Sequence, residues 1–99
     1  MNVEVVTIVE GQVKEAQWQK LVESYENLLM DKPEGILQSF IIQERSEPTL
    51  WRLITFWESM EKLKAMQESY PTPPGIKIFK DRGVNPEVAV FHVRRSFGM

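Results

Sequence analysis

The stretch LITFWESMEKL, Leu53 to Leu63, changes its period half-way along. From Leu50 to Trp57, "LWRLITFW", the residues are β-branched or aromatic and read as a strand. From Met60 onward the apolar positions Met60, Leu63, Met66 or Gln67, and Tyr70 recur every three or four residues, the spacing of one helix face. Ser59 stands at the change, where its hydroxyl can accept a free backbone N–H of the next turn. Trp-Glu-Ser is therefore read as the joint of a strand and a helix and not as a reactive centre. Trp57 becomes a core plug, because burying an indole removes so much apolar surface from water. Glu58 sits in solvent beside a helix N-terminus, where a negative charge is mildly favourable.

Working outward, Val3 to Val9, "VEVVTIV", reads as a first strand, ended by Gly11. From Val13 the pattern is helical: Trp18, Leu21, Val22, Tyr25, Leu28 and Leu29 form one apolar stripe, with Lys14, Glu15, Lys20, Glu23 and Glu26 around the rest. "DKPEG" places the end of this helix near Asp31. Ile36 to Glu44 is a second strand, and the short link "RSEPT" joins it to Leu50–Trp57 as an antiparallel hairpin. "YPTPPG" stops the second helix. Residues 71–86 hold four prolines and two glycines and show no period, although "GIKIF" within them suits a short strand or one turn of helix. Such a long link is expected to serve as a lid or an arm exchanged with a partner. Val88 to Arg94 closes the chain as a last strand.

The order β-α-β-β-α-β predicts an α+β, ferredoxin-like protomer, one domain over residues 1–99, with two helices on one face of a four-stranded antiparallel sheet. The other face should then be polar. It is not: Leu50, Ile54 and Phe56 oppose Trp51, Leu53 and Trp57, and Val88 and Val90 oppose Ala89, Phe91 and Val93. A homodimer packed sheet against sheet is the simplest cover for the second face.

Totals narrow the function classes. A net charge of −2 argues against nucleic acid, whose partners carry a basic excess. The start "MNVEVVTIVEG" lacks a basic, apolar leader, and no stretch is long enough to span a bilayer, so a cytoplasmic protein with no membrane partner is expected. With no cysteine there is no disulfide or thiolate metal site, and one histidine without an acidic cluster makes no metal centre.

The apolar strand running through Trp-Glu-Ser into a helix, "PEGIL" opening the second strand and "NPEVAVFHV" near the end together resemble the antibiotic biosynthesis monooxygenase (ABM) domains of the dimeric α/β-barrel superfamily. The resemblance covers nearly the whole chain in element order. It implies two protomers whose sheets share a barrel, a pocket in each protomer between sheet and helices, and a small hydrophobic or aromatic ligand. It also implies candidate chemistry: cofactor-independent oxygenation of a phenol, anthrone or quinol. A non-catalytic, ligand-binding or accessory homodimer is the alternative. The haem-degrading branch has an asparagine on the first strand and a tryptophan and histidine on the second helix. Here the first strand offers Glu4, Val6 and Ile8, the second helix has Ala65 and Met66 where the tryptophan would lie, and no histidine follows. Haem degradation is therefore disfavoured, and no cofactor is expected.

Three polar side chains are candidates for the chemistry, with Trp57 as a pocket wall. His92 shares the parity of Val88 and Val90, and histidine titrates near neutrality, as a general base should. Arg52 interrupts an apolar strand, either to meet a ligand oxygen in the pocket or to pair with Glu44 across the hairpin. Tyr70 precedes the proline-rich link and could place a hydroxyl at a pocket mouth. Lys77, Lys80 and Arg82 make that link locally basic, and Arg94 and Arg95 are expected in solvent or at the dimer edge.

Overall fold

A computed structural model describes residues 2–98, so the single domain expected over residues 1–99 extends one residue beyond them at each end. The elements are β1 (Val5–Gln12), a 3-10 turn (Glu15–Gln17), α1 (Trp18–Met30), β2 (Ile36–Gln43), β3 (Leu50–Trp57), α2 (Met60–Ser69), α3 (Pro74–Lys80) and β4 (Glu87–His92). All strands are antiparallel, in the order β2-β3-β1-β4. The molecule is the α+β, ferredoxin-like protomer expected, with three helices in place of two. Among the described residues no helix is long and apolar enough to cross a membrane.

The joint at residues 57–60 forms as read. Ser59 Oγ accepts the backbone N–H of Lys62 at 3.1 Å, and α2 starts one residue later. The stripe of α1 buries Leu21 and Tyr25. The helix itself begins at Trp18 and not at Val13, because residues 15–17 wind as the tighter turn and Trp18 Nε1 donates to the Val13 carbonyl at 2.8 Å.

Two expectations change. Gly11 does not end β1; the strand runs to Gln12 with Gly11 opposite Trp51. A Cβ there would lie 2.7 Å from Val84 Cγ1 and 3.0 Å from Phe79 Cδ1, so the missing side chain admits those two residues onto the sheet. The proline-rich link is also not a free loop. Its centre is α3, with Pro74 in the first turn, where a missing N–H costs nothing. Ile78 and Phe79 of α3 are buried, and α3 packs on α1 and β1. No period shows in the sequence because seven residues make only two turns.

The alternation of β3 holds throughout. Trp51, Leu53, Thr55 and Trp57 are buried beneath the helices, while Leu50, Arg52, Ile54 and Phe56 face the other side. That open face carries exposed Phe40, Ile42 and Phe91, with Phe40 and Phe56 meeting edge to face at 5.8 Å. In β2 the register shifts between Ile36 and Gln38, so Leu37 is an extra residue and both Ile36 and Ser39 face the helices.

Gly35 fastens α2 to the sheet. Its φ is +96°, a Cβ would lie 2.4 Å from Lys62 Cβ, and its carbonyl accepts the N–H of Glu58 at 2.9 Å. Lys62 Nζ donates to Glu34 beside it, and this hydrogen bond and charge hold the Glu34 carboxyl below its usual range. In urea unfolding, Gly35→Ala should cost about 1–3 kcal/mol, the scale of a side chain forced to positive φ. Ser59→Ala should cost about 1 kcal/mol through the lost cap. Equal midpoints for both variants and the wild type would contradict the joint described here.

Candidate functional site

Of the cross-strand rows on the helix side of the sheet, three frame the site, and a fourth, Gln43–Trp51–Gly11, lies beyond them. The upper row is Ile36–Trp57–Val5–His92 and the lower is Ile41–Leu53–Val9–Val88; between them runs Ser39–Thr55–Thr7–Val90. Val5 and Trp57 join Leu63 of α2 in one apolar cluster, whereas Val9 and Leu53 join Leu21, Ile78 and Phe79 in a second. The middle row belongs to neither cluster.

An open cavity stands over that middle row. Thr7, Ser39, Thr55 and Trp57 form its floor; Leu63, Met66 and Gln67 of α2 stand on one side, and Pro74, Gly75 and Ile76 of α3 on another. Gly75 brings α3 down onto the sheet, since a Cβ there would lie 2.8 Å from Leu53 Cδ2. The cavity is bordered by β4 through Val88 and Val90, 48% and 42% exposed. No ionisable side chain is among its lining residues.

Its polar groups are few. Trp57, 3% exposed, donates from Nε1 to Thr7 Oγ1 at 2.9 Å. Thr55 is 6% exposed and lines the cavity, and among the described residues its hydroxyl has no hydrogen-bond partner. It is also absent from the fully sealed polar atoms that lack partners, Trp51 Nε1 and Arg82 Nε. Gln67 is exposed at the rim, and among the described residues its side-chain amide has no hydrogen-bond partner.

The residues singled out from the sequence separate. Trp57 is in the cavity wall. His92 is exposed and is not a lining residue, but it lies on the cavity side of β4, two residues beyond Val90 and opposite Val5. Tyr70 lies in a neighbouring groove with Ser24, Asn27 and Lys77, and Leu28 and Pro74 are shared between that groove and the cavity. Arg52 is on the opposite face of the sheet. Its Nε donates to Glu10 Oε1 at 2.5 Å, so its partner is on β1 and not Glu44 on the hairpin. Glu44 instead accepts from Ser46, which holds its carboxyl below the usual range. An arginine on that face cannot meet a ligand in the cavity of its own protomer. Sequence reading passed over Thr7, Thr55 and Ser39, because a threonine in a strand signals only β propensity; their common row emerges from the register.

Similar folds occur among solved structures. A variant of SnoaB, a cofactor-independent oxygenase from Streptomyces nogalater, superposes with a TM-score of 0.75 at 13% identity, covering 99% of this chain and 100% of its own. A Deinococcus radiodurans protein described as a candidate antibiotic biosynthesis monooxygenase gives 0.75 at 11% identity, covering 96% and 97%. A conserved protein from Methanosarcina mazei gives 0.70 at 17% identity, covering 90% and 91%. At these identities the likeness concerns the fold. No curated protein matches the chain. The family model for antibiotic biosynthesis monooxygenase matches residues 4–81, which takes in β1 through α3 and nearly all of the cavity wall, and the chain belongs to that family.

Proposed function

We propose that the cavity over the Ser39–Thr55–Thr7 row binds a small neutral aromatic and that the protein oxygenates it without a cofactor. The supporting observation is the lining: apolar walls, a buried indole and a few hydroxyls suit a flat, uncharged ring carrying oxygen. The SnoaB likeness agrees with this chemistry. A phenol or anthrone that loses a proton becomes electron-rich enough to reduce dioxygen. A new C–O bond then forms, and loss of water leaves a carbonyl, so one substrate and one dioxygen yield one quinone and one water. The base we assign is His92, which shares the cavity side of β4. Trp57 serves as the wall, and Tyr70, across Leu28 and Pro74, guards the outer side.

One observation favours the second reading, a ligand-binding dimer without turnover: no acid or base lines the cavity itself. The two readings part in an oxygen electrode. With an anthrone as substrate, an enzyme takes up one dioxygen per substrate, and His92→Gln should lower kcat at least about a hundredfold, the scale of a general base. Binding without uptake selects the second reading.

In both readings we take the protein to be a homodimer packed through the open faces of its sheets. Exposed Phe40, Ile42 and Phe91 supply the apolar contact. Arg52 and Glu10, paired at the surface of the protomer, would lie within that interface. Light scattering at about 50 µM, a concentration chosen to exceed ordinary dimer dissociation constants, should give twice the 11.6 kDa chain mass. Ile42→Glu should return the monomer mass with an unchanged far-UV spectrum. A wild-type monomer at that concentration would exclude the sheet-to-sheet arrangement.

A further inference from the structure

We propose that Thr7 and Thr55 form a two-hydroxyl seat for one ligand oxygen, a carbonyl or phenolate oxygen on an otherwise apolar ring. The inference rests on the cavity being a ligand site and assigns the residues that orient the ligand within it. The two threonines are direct cross-strand partners on β1 and β3, the two inner strands of the sheet, 8% and 6% exposed. Cross-strand neighbours hold their Cβ atoms about 5 Å apart, close enough for one oxygen to sit between two hydroxyls.

The Trp57 bond sets the polarity of the seat. An indole N–H only donates, so the Thr7 oxygen is already an acceptor and its own hydrogen is free to be given away. Among the described residues no protein acceptor takes that hydrogen and no protein group pairs with the Thr55 hydroxyl, and neither oxygen is among the fully sealed atoms without partners. Both hydroxyls therefore open into the same cavity, where a ligand oxygen can take their hydrogens. With no cation in the lining, a carboxylate or phosphate would enter uncompensated. A neutral carbonyl or phenol, or a phenolate whose charge spreads into the ring, does not carry that penalty. Two donors aimed at the oxygen would also favour the ionised phenol over the neutral one.

The test uses equilibrium dialysis of the intact protein with two probes of equal shape, 2-naphthol and 2-methylnaphthalene. Thr7→Val would also strand the Trp57 N–H, so Thr55→Val is the diagnostic variant and Thr7→Ser the control that keeps the hydroxyl. Wild type should hold 2-naphthol more tightly than 2-methylnaphthalene. Thr55→Val should weaken 2-naphthol about 3- to 10-fold, the worth of one hydrogen bond, and leave 2-methylnaphthalene within about twofold. Thr7→Ser should bind both as wild type does. Undiminished 2-naphthol binding by Thr55→Val, or an equal loss for both probes, overturns the seat while the ligand site stands. Failure of wild type to bind either probe removes the ligand site, and the seat with it.

Discussion

Buried hydroxyls cannot be sealed under hydrocarbon, and this constraint shapes the helix side of the sheet. The rows above and below carry Trp57, Val5, Leu53 and Val9, which helices cover at a gain in hydrophobic free energy. The row between them carries Thr55 and Thr7, for which apolar cover would cost more than it returned. The apolar packing accordingly divides in two, α2 closing over one cluster and α1 with α3 over the other. The cavity is the seam between these clusters. Among the described residues its one internal side-chain hydrogen bond runs from Trp57 to Thr7.

The two faces of the sheet thus divide the molecule's tasks. Facing the helices, the side chains close a core and leave one gap. Facing away, an apolar surface surrounds the Arg52–Glu10 pair. An ion pair in solvent contributes little to stability, yet buried against a second copy it would penalise any register that broke it. In the dimer proposed above, such a pair would select among ways of docking more than it would strengthen any one of them.

How much of this was legible in the sequence depends on how far apart the cooperating residues lie. The strand-to-helix joint, the hairpin and the end of α1 are local and were read correctly, since Ser59, the "RSEPT" link and Pro33-Gly35 act within a few residues. Helix α3 was legible only as one of two options for "GIKIF", a short strand or a turn of helix, because two turns give no period and its prolines resemble a loop. Arg52 was given the wrong partner for a different reason: a hairpin reading sees only the strand next in sequence, whereas β1 lies on its other side and brings Glu10 across 42 residues. The hydroxyl row was hidden most fully. Thr7, Ser39 and Thr55 come from three strands, and the extra residue Leu37 decides that Ile36 and Ser39 share a face. Trp57 was recognisable as a wall because its size alone demands burial.

The strand order has a kinetic consequence. β1, the first strand in sequence, lies between β3 and β4, so neither of its partners is closer than some forty residues along the chain, and Thr7 meets Val90 only when the last strand docks. Pairings over such separations are slow to close, because loop entropy must be overcome before the contacts repay it. The β2–β3 hairpin can assemble early, but β1 remains an unpaired edge on one side until β4 emerges. During synthesis the alternating Val5, Val9 and Ile8 would therefore be exposed to neighbouring chains, and the cavity floor would be among the last parts of the molecule to acquire its border.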